Sequence, residues 1–374
     1  MNSNLSRITP IEITPVIYQP AFEVAEEGEA ETKAELLKTL RSISVTTFKD
    51  SGHATRSVHA KSHGLLRGEL RVLDGLPPSL AQGIFATPGH WPVVMRLSTV
   101  PGDILDDSVS TPRGLAIKVV GVEGSRLDGS EGDVTQDFVL VNGPAFLTSG
   151  GKKFLSSLKL LAATTDKVPT LKKVLSAVLR GSEKIIGAVG GESGTIKALG
   201  GHPETHILGE TFFSQVPILF GPYIAKVSVA PISAKLKQLT NAALNVNGKP
   251  NGLRDAVVDF FATTGGEWEL RIQLCTNLET MPIEDASVVW PEDQSPWIVV
   301  ARITAQPQRA WSTARSMAID DGMAFNPWHG IAAHRPIGSI MRIRKMAYQM
   351  SANFRAEHNG KRIDEPRDLN NLPD

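Results

Sequence analysis

The chain has 374 residues, enough for one large domain or two smaller ones, and for a core able to enclose a cofactor. Lysine plus arginine equals aspartate plus glutamate, 39 against 39, so no global field draws the chain to nucleic acid or to an anionic membrane. Cys275 is the sole cysteine, which excludes an intrachain disulfide, a CxxC redox pair and a multi-cysteine zinc or iron–sulfur site, and fits a reducing cytoplasm. The N-terminus lacks the basic start and continuous apolar stretch of a signal peptide. No apolar run reaches the roughly 18 residues of a membrane span, and the terminal NNLPD is not a peroxisomal address. A cytoplasmic protein that leaves membranes and nucleic acid alone is expected.

Residues 1–30 are rich in proline and glutamate and read as an extended arm. Over 31–49, Leu36, Leu37, Leu40 and Ile43 recur at helical intervals. From Gly68 the texture changes to β-rich runs, GELRVL, WPVVMRLST, RGLAIKVVGV and QDFVLV, punctuated by Gly, Pro and Asp. A helical stretch is expected over 152–187, broken near Val168–Pro169, then a glycine-rich loop over 188–204. Strands resume in TFFSQVPILF, YIAKVSVAPI, EWELRIQLCT and WIVVARITAQ. After these the pattern turns helical, with a clear last helix over 337–355. Two strand groups, a helical insertion and a helical end give an α+β domain. A closed antiparallel barrel with flanking helices and a sandwich both satisfy the pattern.

No nucleotide-cradling glycine loop and no G-x-S-x-G elbow occurs. Two H-x-x-x-H pairs, His59/His63 and His202/His206, have a spacing that suits two ligands on one helix face. Neither has the glutamate that zinc proteases place beside the first histidine. Near the C-terminus, Arg344 and Tyr348 are one helical turn apart, and Arg355 follows seven residues later on the same face. A phenol with a pKa near 10 is a poor anionic ligand at neutral pH, but a guanidinium beside it favours the phenolate, and phenolate is one of the few protein ligands of haem iron. An amphipathic helix with a packed tyrosine and solvated arginines satisfies the same pattern.

The R-x-x-x-Y unit, with Arg355 and Asn359 beyond it, resembles the proximal haem motif of catalases. Arg56-Ser-Val-His59-Ala resembles that family's R-x-V-H-A, and Met95-Arg96-Leu97-Ser98-Thr99-Val100 its V-R-F-S-T-V. The offset from His59 to Arg96 is 37 residues, as in the family. Asp107–Lys118 resembles D-T-V-R-D-P-R-G-F-A-V-K, and Glu267-Trp268, Gln273, Pro282–Asp285 and Trp290-Pro291 follow the family too. The resemblance runs from Arg56 to Asn359. It implies a catalase-like closed antiparallel barrel of about eight strands enclosing haem, with a helical insertion and C-terminal helices. Residues 1–55 would be an N-terminal arm and helix, and 56–374 a single haem domain. It implies haem b, with Tyr348 as iron ligand, Arg344 as the partner that activates it, and Arg56, Arg96 and Arg355 on the haem carboxylates. Phe154 and Val58 would line the haem, His59 would be the distal acid–base, and Ser98 would orient it.

The chain departs from the family at the distal asparagine. Asp137-Phe-Val-Leu-Val141-Asn142-Gly143-Pro144 stands where catalases carry D-L-V-G-N-N-T-P. Ungapped, Val141 takes the catalytic amide's place; a local shift would bring in Asn142, which is retained as a candidate. The helical region that binds NADPH in many catalases is largely absent. The resemblance implies a haem-dependent hydroperoxidase cleaving hydrogen peroxide or organic hydroperoxides, with an organic reductant as a further partner and a homo-oligomer left open. The alternatives are a fatty-acid hydroperoxide isomerase or lyase and a non-enzymatic haem-binding protein. Coral allene oxide synthases carry threonine before the distal histidine, and Val58 is the catalase-type residue.

Overall fold

The computed structural model describes residues 14–164 and 202–374. The break at Val168–Pro169 and nearly all of the 188–204 loop lie outside the described residues, as does the start of the N-terminal arm. Among the described residues, nine strands form one sheet: β1 (Ser62–Val72), β2 (Gly89–Thr99), β3 (Arg113–Val120), β4 (Thr135–Val141), β5 (Phe212–Phe213), β6 (Ile218–Phe220), β7 (Tyr223–Pro231), β8 (Gly266–Leu274) and β9 (Ile298–Ala305). Eight of them close, because β5 pairs with both β4 and β7, giving the ring β5–β4–β3–β2–β1–β9–β8–β7. Strand β6 stands outside the ring as a hairpin partner of β7. The ring is antiparallel throughout, so of the two architectures open to the sequence it is the barrel that forms.

The strand period of two divides the residues between two faces. Leu66, Leu70, Met95, Ile117, Val227, Leu270 and Ile303 point inward and are at most 1% exposed. An eight-stranded barrel is just wide enough for such side chains to fill it. The outward positions of the same strands carry a packing of their own. There Leu65, Val94, Ala116 and Val120 meet Ile319, Met323 and Phe325 from the strap after β9, and Leu369 and Leu372 from the C-terminal tail.

Among the described residues, four long helices accompany the barrel: α1 (Glu29–Ser51), α2 (Gly151–Thr164), α3 (Gly252–Thr263) and α4 (Ser339–Asn359). The apolar stripe expected on α1 is buried as Leu36, Leu40 and Ile43, against Leu158 of α2 and Ile343 and Ala347 of α4. Helix α4 runs four residues beyond the expected end and stops where Gly360 turns left-handed (φ 59°). Helix α3 was not expected, although Leu253, Val257 and Phe261 recur at the i, i+4 interval and are buried. The stretch after β9 holds only short turns where a helical pattern was read. Arg315 there donates to the carbonyls of Leu65, Arg309 and Pro373 and fixes an irregular strap. Among the described residues, no helix is long and apolar enough to cross a membrane.

Leu36 has no exposure and sits where α1 meets α4. Leu36→Ala is expected to cost about 2–5 kcal/mol in urea unfolding, the usual range for a buried leucine truncated in a core; a loss under about 1 kcal/mol would show that α1 is dispensable to the packing.

Candidate active site

The segment preceding β1 runs beside the end of β2. His59 donates its backbone N–H to the Val100 carbonyl (2.7 Å) and Ala60 donates to Pro101 (3.0 Å). His59 has φ 56°, a left-handed conformation costing a non-glycine residue roughly 1–3 kcal/mol. That backbone turns the ring onto the outer face of β2 and β3, where its Nδ1 lies 3.1 Å from Ser98 Oγ. Gly114 lies beneath the ring, and a Cβ there would come within 2.6 Å of it, so the close approach needs a glycine. Burial comes first, then Arg96, Arg344 and Arg56, in pushing the His59 imidazole down to about 3. It is therefore neutral over the ordinary pH range.

Arg344 faces the other way as well. Its Nη2 donates to the Tyr348 hydroxyl one turn along α4, at 2.5 Å. Burial pushes the Tyr348 phenol up, and Arg344 pulls it back by charge and hydrogen bond without reversing the shift. The expected guanidinium–phenol contact thus exists, but in this environment it does not by itself yield a phenolate. A bound cation would have to complete that ionisation.

The three remaining arginines converge. Arg56 and Arg355 both donate to the Met323 carbonyl, each at 3.1 Å. Arg96 Nε and Arg56 Nη1 reach Asp320 Oδ1 at 2.7 and 3.3 Å. The second oxygen of Asp320 accepts from Ser62 and Ser316, both at 2.7 Å. Burial alone would push the Asp320 carboxyl up, yet Arg96 and Arg56 hold it down at about 2. Asp320 was not among the sequence candidates. It lies on a wide single turn (Met317–Asp321) more than 220 residues from Arg96, and no motif marks it. Asn359 closes the circle: its amide donates to the Ala54 carbonyl and accepts from the Ala54 N–H, both at 2.9 Å, tying the end of α4 to the segment carrying Arg56 and His59.

Phe154 on α2 packs edge-on against Phe146, with centroids 5.0 Å apart, and joins the apolar clusters on either side of α4. Val58 packs against the α1–α4 cluster. Arg56, Val58, His59, Val139, Val141, Phe146, Phe154, Arg344 and Tyr348 all keep partial accessibility, whereas the inward residues of the same strands are sealed.

Asn142, kept as a distal candidate, is held by partners other than His59. Its Oδ1 accepts from the Arg113 N–H (2.8 Å) and its Nδ2 lies 2.8 Å from His202 Nε2. The register pairs Ser98 with Gly114 and Gly114 with Val141, so Val141 shares the face of His59 and Asn142 does not. Neither H-x-x-x-H pair lies on a helix. His63 is buried against Thr99 (3.1 Å), and His206 accepts from the Leu208 N–H (3.2 Å). Among the described residues, one group of three, Asp137, His329 and Glu365, has metal-ligand composition. The Lys118 ammonium lies 2.7 Å from Asp137 and 2.5 Å from Glu365, and fills the cation's role there.

No protein-family model and no curated protein matches the chain. Solved structures do. A fungal catalase superposes with a TM-score of 0.60 at 18% identity, covering 88% of this chain and 68% of that one. Catalase A from Saccharomyces cerevisiae gives 0.57 at 17%, covering 83% and 63%. A bacterial catalase gives 0.56 at 16%, covering 86% and 61%. The chain therefore has the catalase fold, on a length between 61% and 68% of these proteins.

A histidine held neutral in the fold stabilises it above its ordinary pKa of about 6.5, and that stability is lost as pH falls towards its folded value. The loss for His59 lies between pH 6.5 and about 3. His59→Gln is expected to lose less stability than the parent between pH 7 and 4.5, by about 2 kcal/mol from urea midpoints. Equal losses would show that the ring is not desolvated.

Proposed function

We propose that the protein is a haem-dependent hydroperoxidase. The observation that carries this reading is the set of groups around α4. Three buried or part-buried guanidiniums, Arg56, Arg96 and Arg355, have one carboxylate, Asp320, in direct contact, and Arg355 Nε is buried without a partner. These guanidiniums outnumber the carboxylate they contact, which suits a ligand that brings carboxylates of its own. Two turns before Arg355, Tyr348 presents a phenol to which Arg344 already donates. Two carboxylates beside a metal centre that accepts a phenolate is the chemistry of haem b. The donor set fits: Tyr348 would hold the iron, Arg344 would stabilise the phenolate, and Arg56, Arg96 and Arg355 would hold the carboxylates.

A bound haem supplies the redox capacity for cleaving an O–O bond. The chain's own residues supply the proton traffic. Ser98 holds His59 Nδ1, so Nε2 is the atom left to work. Because the ring is neutral, Nε2 takes the proton from the hydroperoxide's near oxygen. The same environment that depresses its pKa makes the imidazolium a strong acid, which returns the proton to the departing oxygen. Gly114 lets the ring approach the barrel wall closely, and Asn359 keeps its segment registered with α4.

The test is reconstitution with haem b followed by peroxide assay. The expected result is stoichiometric haem uptake and hydroperoxide consumption that falls by about 10²–10⁴-fold in His59→Ala, the usual worth of a positioned acid–base. A variant that still binds haem and consumes peroxide at the parent rate would overturn the assignment.

A further inference from the structure

Among the described residues of the ladder facing His59, the working polar atom is the imidazole Nε2. In the ladder Ser98–Gly114–Val141, Ser98 is spent on His59 Nδ1, Gly114 has no side chain and Val141 is apolar. Directly opposed residues on neighbouring antiparallel strands hold their Cβ atoms about 5 Å apart, so Val141 stands beside the position that His59 crowds at Gly114. Two residues along β4 on the same face is Val139, and beside the histidine is Val58. All three keep partial accessibility. The amide able to supply a second anchor, Asn142, is engaged by Arg113 and His202.

We infer that the substrates are organic hydroperoxides carrying an alkyl or aryl group, with Val141 as the residue that sets this preference; the inference rests on the hydroperoxidase reading above. Reduction of ROOH breaks the O–O bond and yields ROH and water, taking up two electrons and two protons. Two molecules of a one-electron organic donor such as a phenol supply these, each giving one electron and one proton and leaving as a phenoxyl radical. This needs a single proton shuttle, and His59 Nε2 provides it. Dismutation of hydrogen peroxide needs more. A second H2O2 must be held while it gives up two electrons and two protons as O2, and a small, fully polar molecule between valines has only the imidazole to hold it. Placing it against Val141 leaves its remaining hydrogen-bonding capacity unmet. The apolar substituent of ROOH instead removes the same valine surface from water.

The experiment uses the full chain loaded with haem b. Cumene hydroperoxide reduction with a phenolic donor is compared with O2 release from H2O2, in the parent, Val141→Asn and Val141→Thr. The parent is expected to favour cumene hydroperoxide in kcat/KM by about tenfold or more, and both variants to shift the ratio towards O2 release by about tenfold, the scale of one placed polar group. A second readout is the binding of cumyl alcohol by haem difference spectrum, expected to weaken about fivefold or more in both variants as the valine surface is lost. Threonine is nearly isosteric with valine, so it carries the test if the asparagine variant fails to fold. A parent that evolves O2 faster than it reduces cumene hydroperoxide would overturn the inference, as would an unchanged ratio in the folded variants. Failure to take up haem, or full turnover in His59→Ala, would instead remove the underlying reading.

Discussion

The Arg344–Tyr348 contact is the interaction on which the rest of the site depends. It places a guanidinium against a buried phenol, one turn apart on a helix whose apolar side is locked to α1 and α2. The same guanidinium also acts on His59 by its charge and helps keep that imidazole neutral. One cation therefore biases both walls, favouring an anion at Tyr348 and a free base at His59. Burial and the neighbouring guanidiniums depress the imidazole within the fold itself. The phenol, by contrast, remains raised by burial until a cation joins it.

The barrel is the reference against which these groups are set. Its interior is closed by its own side chains, so it acts as a rigid wall rather than a container. Chemistry-bearing residues occupy the outward positions of β2, β3 and β4: Arg96, Ser98, Gly114 and Val141. The opposite wall, α4, is held by distant parts of the chain. Asn359 grips the Ala54 peptide, and Arg342 is bound by Glu23, Glu29 and Glu284. Rigid elements on both sides suit a reaction in which a proton moves between two oxygen atoms of one small molecule.

Much of this was legible in the sequence because it is local. Alternation bounded by Gly, Pro and Asp located the strands, and the Leu36–Leu40–Ile43 spacing located α1. The i, i+4 relation of Arg344 and Tyr348 is visible without coordinates. What escaped is non-local or rests on parity. Asp320 becomes meaningful only where the chain folds it against Arg56 and Arg96, and nothing in its neighbourhood signals that. The choice between Val141 and Asn142 turns on one residue of register, which sends a side chain to one face or the other. Helix α3 carried its signal in Leu253, Val257 and Phe261. The strap after β9 imitates a helix in composition while its Arg315 caps carbonyls elsewhere.

The central claim is that Tyr348, paired with Arg344, is the iron ligand of a bound haem. Resonance Raman spectroscopy of the ferric, haem-loaded protein examines that bond itself. The account predicts an iron–phenolate vibration in the parent that disappears in Tyr348→Phe. Haem bound through a histidine, or a phenolate band that survives the substitution, would contradict it.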